Sequence, residues 1–128
     1  MSNTVHTILI VDDDMAVRSF SRLVLERAGY DVIEAGNGLD ALRRWEEHGS
    51  RIGLVVTDLI MPGMAGLELA ACLRQLRPGL GVVFVSGYGE DQLGLDLGGA
   101  NGAGFLQKPF TPKQLLTVVR QQLDLTAA

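Results

Sequence analysis

Two short apolar segments of this chain end in aspartate. Residues 8–11 run directly into the acidic residues 12–14, and residues 54–57 run into Asp58. Short apolar runs of this kind are typical of buried parallel strands, and open α/β sheets bind their ligands beyond the carboxyl ends of such strands. Carboxylates at one sheet edge repel each other unless a cation or a basic side chain relieves the repulsion. The sequence therefore predicts an acidic pocket that suits a metal ion.

Composition narrows the class of protein further. The 128 residues, 47% of them hydrophobic and 20% charged, predict one soluble globular domain over residues 1–128 with an ordered core at about 6–124. A net charge of −4 disfavours direct nucleic-acid binding, and no segment is apolar for long enough to span a membrane. The single cysteine, Cys72, cannot form an internal disulfide, so we expect a reducing compartment and a cytoplasmic protein.

Strand-like and helix-like segments alternate five times along the chain. The predicted strands lie at residues 8–11, 31–35, 54–57, 82–85 and 105–107. The predicted helices lie at about 14–28, 39–48, 67–76, 90–104 and from Thr111 onward. This alternation predicts an α/β fold with a doubly wound, five-stranded parallel sheet, the flavodoxin-like (βα)5 arrangement with strand order 2-1-3-4-5.

The first and fourth predicted helices differ in how clearly the sequence marks them. In the first, the apolar residues at helical spacing are Ala16, Phe20, Leu23, Val24 and Ala28. Asp14 is expected to cap this helix and not to bind a metal ion, because the helix dipole favours a carboxylate there. Glycines at positions 94, 98, 99, 102 and 104 crowd the fourth, and each costs about 1 kcal/mol relative to alanine inside a helix. We expect the fourth helix to be the least stable or partly irregular.

Polar side chains follow four of the predicted strands. Asp12 and Asp13 follow the first strand, Asp58 the third, Ser86 the fourth and Lys108 the fifth. With strands one and three adjacent, the three carboxylates should lie together, and hard oxygen ligands of this kind suit Mg²⁺. Aspartate can form an aspartyl phosphate, while a hydroxyl and an ammonium group can hold phosphoryl oxygens. Each residue alone is more often a cap, a turn residue or a solvated charge, but together they predict a phosphoryl-accepting site.

Four sequence motifs occur at these strand ends. They are ILIVDDD at residues 8–14, TDLIMPGM at 57–64, VSGY at 85–88 and FLQKPF at 105–110. In order and position they resemble the receiver domain of two-component response regulators, and the resemblance covers nearly the whole chain. VSGY and the segment KPFT at 108–111 are also similar to receivers attached to hybrid histidine kinases.

The resemblance implies a role for each residue of the acidic pocket. Asp58 would be the phosphoacceptor, and Asp13 and Asp58 would bind Mg²⁺ together with the backbone carbonyl of Ile60. Asp12 would act mainly through a metal-bound water, and Mn²⁺ could replace Mg²⁺ because both prefer oxygen ligands.

The resemblance also implies how phosphorylation is read out. Ser86 and Lys108 would hold the phosphoryl oxygens, Ser86 and the aromatic Phe105 would act as the switch, and the Lys108–Pro109 peptide bond would be cis. The readout surface would be the face of helix four, strand five and helix five, through which a homodimer could form. The phosphoryl donor would be a histidine kinase or a histidine phosphotransfer protein, and the domain would catalyse only its own phosphorylation and dephosphorylation.

One position departs from the family pattern. Receivers often carry Asp before the glycine that opens helix three, whereas this chain has Ala65 before Gly66. We expect the loss of one capping or loop hydrogen bond, on the order of 1 kcal/mol, with no effect on the phosphorylation chemistry.

Two other functions are compatible with parts of the sequence. An aspartyl-phosphate phosphatase of the haloacid dehalogenase type needs Asp-x-Asp after the first strand, which residues 12–14 supply, with Asp12 as the nucleophile. Position 16 is alanine where that signature expects Thr or Val, and the chain is short for that fold. A phosphorylation-independent interaction module would be expected to lack part of the acceptor site.

Overall fold

Parallel strands alternate with helices throughout the computed structural model, which describes residues 6–94 and 102–126. The strands are β1 (Thr7–Val11), β2 (Asp31–Ala35), β3 (Ile52–Asp58), β4 (Gly81–Ser86) and β5 (Gly104–Gln107). The helices are α1 (Met15–Arg27), α2 (Gly38–His48), α3 (Gly66–Leu76), α4 (Glu90–Leu93) and α5 (Pro112–Thr126). Across the described ranges, none of the helices is both long and apolar enough to cross a membrane. The predicted alternation of strands and helices is confirmed.

The strands form one parallel sheet in the order β2-β1-β3-β4-β5, which confirms the predicted strand order. Its register keeps the carboxyl ends of the strands level. Val11 of β1 pairs with Thr57 of β3, and Asp58 of β3 pairs with Val85 of β4. The residues that follow β1, β3, β4 and β5 therefore emerge at one edge of the sheet, where doubly wound folds bind their ligands.

Hydrophobic side chains cover both faces of the sheet. In β1, Leu9 and Val11 belong to the core beneath α2 and α3, whereas Ile8 and Ile10 belong to the core beneath α1 and α5. Successive side chains of a strand point to opposite faces, and helices cover both faces here. All five residues of β1 are consequently buried, which explains why this strand reads as a continuous apolar run.

Helix α1 packs on the sheet through only part of its apolar residues. Ser21 and Leu25 are its buried residues, whereas Phe20 is 39% exposed and Leu23 is 49% exposed. The ring of Phe20 lies against that of Phe110, with 5.9 Å between the centroids. Of the apolar residues at helical spacing, Val24 packs against the core beneath α1 and α5, whereas Phe20 and Leu23 lie towards the outside of the helix.

The N-terminal caps of α1 and α3 agree with what the sequence indicates. Asp14 is the N-cap of α1, and its carboxylate accepts hydrogen bonds from two backbone N–H groups of the first turn, which confirms the expected role. Ala65 is the N-cap of α3 and makes no side-chain hydrogen bond, as expected where the family often has aspartate. The Asp14 side chain is thus committed to the helix, and the acidic site is formed by Asp12, Asp13 and Asp58.

Helix α4 covers Glu90–Leu93 and ends at Gly94, whose φ of 69° lies in the left-handed region that favours glycine. Residues 95–101, which the sequence predicts as part of the same helix, lie outside the described residues. The expectation of a weak fourth helix is therefore tested only at its start, where the helix is four residues long.

Gly66 is fixed by a close backbone contact behind β3. A Cβ atom at this position would overlap the carbonyl oxygen of Asp58, whereas at Gly53 the nearest atom would be 3.7 Å away. We expect Gly66→Ala to lower the free energy of unfolding by about 1–3 kcal/mol through overpacking, and Gly53→Ala to change it by less than about 1 kcal/mol. Urea unfolding followed by circular dichroism measures both values, and equal effects would contradict this packing.

Candidate functional site

Three carboxylates meet at the carboxyl edge of the sheet. One oxygen atom from each of Asp12, Asp13 and Asp58 lies within 4.8 Å of the other two. Asp12 follows β1 and is 3% exposed, Asp58 ends β3 and is 7% exposed, and Asp13 lies on the surface. The structure thus brings together the three aspartates that the sequence predicts as a cluster, two at the floor of the site and one at its mouth.

Hydrogen bonds hold the two buried aspartates in place. Asp12 Oδ1 accepts from the backbone N–H of Asp14 at 2.9 Å, and Asp58 Oδ1 accepts from the backbone N–H of Ile60 at 3.3 Å. Arg18 of α1 donates from Nη1 to the carbonyl oxygen of Asp12 at 2.6 Å. These contacts leave the second carboxylate oxygen of each aspartate for another partner.

Lys108 is that partner, and it bridges the two buried carboxylates. Its Nζ atom is 3.1 Å from Asp12 Oδ2 and 3.1 Å from Asp58 Oδ2. Lys108 follows β5, so its side chain crosses the end of β4 to reach the carboxylates of β3 and β1. Its backbone N–H donates to the carbonyl oxygen of Ser86 at 2.8 Å, and the Lys108–Pro109 peptide bond is cis, as predicted.

The surroundings shift the pKa values of both Asp12 and Lys108. Burial raises the pKa of Asp12 above its usual range, although hydrogen bonds from Asp14 and Lys108 act in the opposite direction. Burial lowers the pKa of Lys108, but its hydrogen bonds to Asp12 and Asp58 outweigh burial, so the net shift of this pKa is upward. Lys108 is therefore charged at neutral pH, and the ionised Asp12 is still disfavoured. A second cation beside Asp12 would stabilise its ionised form.

Ser86 is the last residue of β4, next to the end of β3. It is 1% exposed, and its Oγ accepts a hydrogen bond from the backbone N–H of Tyr88 at 3.0 Å. Accepting this bond leaves the hydroxyl proton available for another acceptor. The side chain of Tyr88 is exposed at the rim of the site. Ser86 is therefore placed to donate to a group that enters beside Asp58.

The structure shows where Ile60 and Phe105 lie, but it does not test the roles that the sequence predicts for them. Ile60 lies two residues after Asp58, and its side chain is exposed. Phe105 is half-buried on β5 and packs against the core beneath α2 and α3. The metal-ligand role of the Ile60 carbonyl and the switch role of Phe105 stay predictions.

Sequence reasoning misses Arg18, which touches the site through the backbone. Besides the carbonyl oxygen of Asp12, it binds Glu34 of β2, with 3.2 Å between Arg18 Nε and Glu34 Oε1. The sequence does contain a signal for this residue. Arg18 lies one helical turn after the Asp14 cap, and Glu34 is an acidic residue in the middle of a strand, where a partly buried carboxylate calls for a cationic partner.

The donor set suits a hard divalent cation. Three carboxylates against one ammonium group give the pocket a formal charge of minus two when all four groups are ionised. Mg²⁺ prefers oxygen ligands, usually binds one or two carboxylates and keeps several waters. Because Asp13 is exposed, the pocket is open to a hydrated ion, and the residues present fit Mg²⁺.

The response regulator receiver domain family matches residues 8–120 of the chain. This span includes every residue of the acidic site and all five strands apart from the first residue of β1. The chain belongs to this family. It is therefore a receiver domain of two-component response regulators, as the resemblance of its motifs implied.

Two curated relatives of this receiver differ greatly in length. It is 42% identical over 118 residues to the sensor kinase CckA of Brucella abortus (strain 2308), covering 92% of this chain and 12% of that protein. It is 34% identical over 116 residues to the response regulator receiver protein CpdR of the same organism, covering 91% of this chain and 95% of CpdR. The chain thus spans a small part of the kinase and nearly all of CpdR.

Solved structures of receiver domains share the fold. The receiver domain of the hybrid histidine kinase CckA has a TM-score of 0.78 at 38% identity, over 91% of this chain and 98% of that one. A response regulator receiver protein from Sinorhizobium medicae WSM419 has a TM-score of 0.84 at 29% identity, over 98% and 99% of the two chains. The predicted flavodoxin-like fold is therefore confirmed.

Lys108 is expected to hold the two buried carboxylates together when no divalent ion is bound. Lys108→Met keeps an aliphatic side chain and removes the ammonium group that both carboxylates share. We expect it to lower the free energy of unfolding in EDTA by about 1–3 kcal/mol. Lys113→Met, on the exposed first turn of α5, should change it by less than about 0.5 kcal/mol. Urea unfolding measures both variants, and matching losses would contradict this role of Lys108.

Proposed function

We propose that this receiver accepts a phosphoryl group from a phosphohistidine onto Asp58, as part of a two-component or phosphorelay system. The observation that carries the proposal is the contact of Lys108 with Asp12 and Asp58, at 3.1 Å from each, beside the exposed Asp13. This contact combines a nucleophile, a cation that can hold phosphoryl oxygens and acidic ligands for a metal ion. Membership of the receiver family supports the same interpretation.

The proposed reaction forms one bond and breaks another at phosphorus. A carboxylate oxygen of Asp58 attacks, the P–O bond forms, and the P–N bond breaks as the donor imidazole leaves with the electron pair. The Ile60 N–H orients the attacking carboxylate through its bond to Oδ1. Lys108 would transfer a hydrogen bond from Asp58 to a phosphoryl oxygen, and Ser86 Oγ would donate to another. Bound Mg²⁺ would neutralise charge on the carboxylates and on the phosphoryl group.

The proposed metal site uses the same carboxylates. Asp13 and Asp58 would bind Mg²⁺ directly with the backbone carbonyl of Ile60, and Asp12 would act mainly through a metal-bound water. The clustering of the three carboxylates supports this assignment. Mn²⁺ could substitute because it shares the preference for carboxylate and water ligands.

The proposed switch connects Ser86 to Phe105 on the adjacent strand. β4 pairs with β5, and Phe105 lies level with the residue two before Ser86. Phosphorylation would draw Ser86 Oγ from the Tyr88 N–H towards the phosphoryl group, and Phe105 would follow by moving inward. The face formed by α4, β5 and α5 would then change its affinity for partners, including a second copy of the chain.

The proposed phosphoryl donor is a histidine kinase or a histidine phosphotransfer protein. Likeness to the receiver domain of the hybrid histidine kinase CckA supports this class of partner. In this proposal residues 1–128 form one cytoplasmic receiver domain that catalyses only its own phosphorylation and dephosphorylation. It makes no direct contact with nucleic acid or with a membrane.

Incubation with acetyl phosphate and Mg²⁺ tests the phosphoacceptor. We expect intact mass spectrometry to show one phosphoryl adduct on the wild type and none on Asp58→Asn. Asp14→Asn should keep the adduct, because Asp14 caps α1 and is outside the acidic cluster. An adduct that survives Asp58→Asn would refute the assignment. An adduct lost with Asp12→Asn but kept with Asp58→Asn would favour a phosphatase of the haloacid dehalogenase type.

Addition of Mg²⁺ should stabilise the receiver, because the ion binds the folded pocket and relieves repulsion between its carboxylates. We expect about 1.4 kcal/mol when free Mg²⁺ is about ten times its Kd, which raises the Tm by a few degrees. Asp13→Asn should remove most of this response, and Asp14→Asn should keep it. Differential scanning calorimetry with and without Mg²⁺ makes the comparison, and a full response in Asp13→Asn would exclude Asp13 as a ligand.

A further inference from the structure

A polar cleft runs along the open edge of the sheet, on the outer side of β2. β2 is the first strand in the order β2-β1-β3-β4-β5, so its outer side has no neighbouring strand among the described residues. Residues 32–35 of β2 form the floor of the cleft. Side chains of α1 line one wall and side chains of α2 line the other. The cleft is therefore elongated along the strand.

The backbone at this edge has hydrogen-bonding groups to offer. The N–H of Asp31 donates to the carbonyl oxygen of His6, and the carbonyl oxygen of Ala35 accepts from the N–H of Asp12. Residues 31, 33 and 35 therefore turn their backbone groups towards β1. The N–H and C=O groups of the alternating residues, Val32 and Glu34, point to the open side, where another strand could pair with them.

On the α1 side, two arginines share one carboxylate. Arg18 Nε is 3.2 Å from Glu34 Oε1, and Arg22 Nη1 is 2.8 Å from Glu34 Oε2. Glu34 can balance only one of the two positive charges. Arg22 also reaches Glu26 at 3.2 Å, but this pair is exposed and lies along the helix. Glu26 does not line the cleft, so the α1 wall presents two guanidinium groups and one carboxylate to it.

On the α2 side, Arg44 and His48 line the cleft. The Nε atom of Arg44 is buried and has no hydrogen-bond partner among the described residues. One oxygen of the Asp40 carboxylate, Oδ2, accepts a hydrogen bond from the backbone N–H of Gly36 at 3.4 Å. Arg44 is thus a cation of the cleft that makes no ion pair among the described residues, and its charge can attract an acidic group there.

The residues that line the cleft carry a net positive charge, whereas the whole chain carries a net negative charge. Three arginines and two carboxylates line the cleft, in a protein with a net charge of −4. The cations lie on both sides of an open strand edge. In an added strand, successive side chains point to opposite faces of the sheet. Consecutive acidic residues in that strand would therefore reach Arg18 and Arg22 on one side and Arg44 on the other.

We propose that this cleft binds an extended acidic segment of a partner protein, which adds a sixth strand to the sheet beside β2. Backbone pairing with Val32 and Glu34 would supply affinity, and the three arginines on the two sides of the strand would select carboxylates. This inference does not depend on the proposed role of Asp58, because no phosphoryl chemistry takes part in it.

Titration of the ¹⁵N-labelled chain with an acidic peptide tests the proposal. The probe is an acetylated peptide of Glu, Asp and Val about six residues long, the length of an average strand, and its control replaces Glu and Asp by Gln and Asn. We expect saturable amide shifts at Val32 and Glu34 with the acidic peptide, weakened by added salt. The neutral peptide should bind at least about fivefold more weakly.

A matched pair of variants locates the binding site. Arg43 and Arg44 are neighbours on α2, but Arg43 is exposed and does not line the cleft. Arg44→Gln should weaken peptide binding by about fivefold or more, and Arg43→Gln by less than about twofold, although both remove one charge. Arg22→Gln on the opposite wall provides a second variant if Arg44→Gln does not fold. Phosphorylation of all three variants should match the wild type.

Four results would overturn the proposal. They are the absence of saturable binding to the wild type, equal binding of the neutral peptide, and equal losses in Arg43→Gln and Arg44→Gln. The fourth is a response to succinate that reproduces the peptide shifts without changes at the amides of Val32 and Glu34. The response to succinate would identify a site for small anions. The absence of saturable peptide binding would mean that the charges only keep other strands away from the edge.

Discussion

The contact of Lys108 with Asp12 and Asp58 is the interaction on which the site depends. Carboxylates after β1 and at the end of β3 meet an ammonium group from beyond β5, which requires this strand order with the strand ends level. Opposite charges about 4 Å apart near a protein surface attract by about 4 kcal/mol, and desolvation offsets much of this gain. One lysine therefore balances two buried carboxylates incompletely, which leaves the pocket favourable for a further cation.

Repelling carboxylates stay close because their backbone is anchored on the side away from the pocket. The carbonyl oxygen of Asp12 accepts from Arg18, and that of Asp58 accepts from the hydroxyl of Thr57 at 3.0 Å. Gly66 lies so close to the Asp58 carbonyl that no Cβ atom would fit between them. Backbone contacts of this kind help to hold the carboxylates in the pocket against their mutual repulsion.

The fold and the acidic cluster can be predicted from sequence because both follow from local patterns. Apolar runs ended by Asp12 and Asp58 indicate strands, and doubly wound topology brings their ends together. What escapes prediction depends on residues far apart in the chain. Phe20 packs against the ring of Phe110, and Arg18 donates to the carbonyl oxygen of Asp12, and neither contact follows from the residue spacing within α1. Spacing along one segment carries no information about such partners.

The edge strand shows how these distant contacts alter the meaning of a sequence pattern. Glu34 makes β2 appear merely polar, as an edge strand is expected to be. In the structure its carboxylate is bound by Arg18 and Arg22 of α1, and Arg18 also holds the carbonyl oxygen of Asp12. A single side chain therefore connects the open edge of the sheet to the floor of the acidic site.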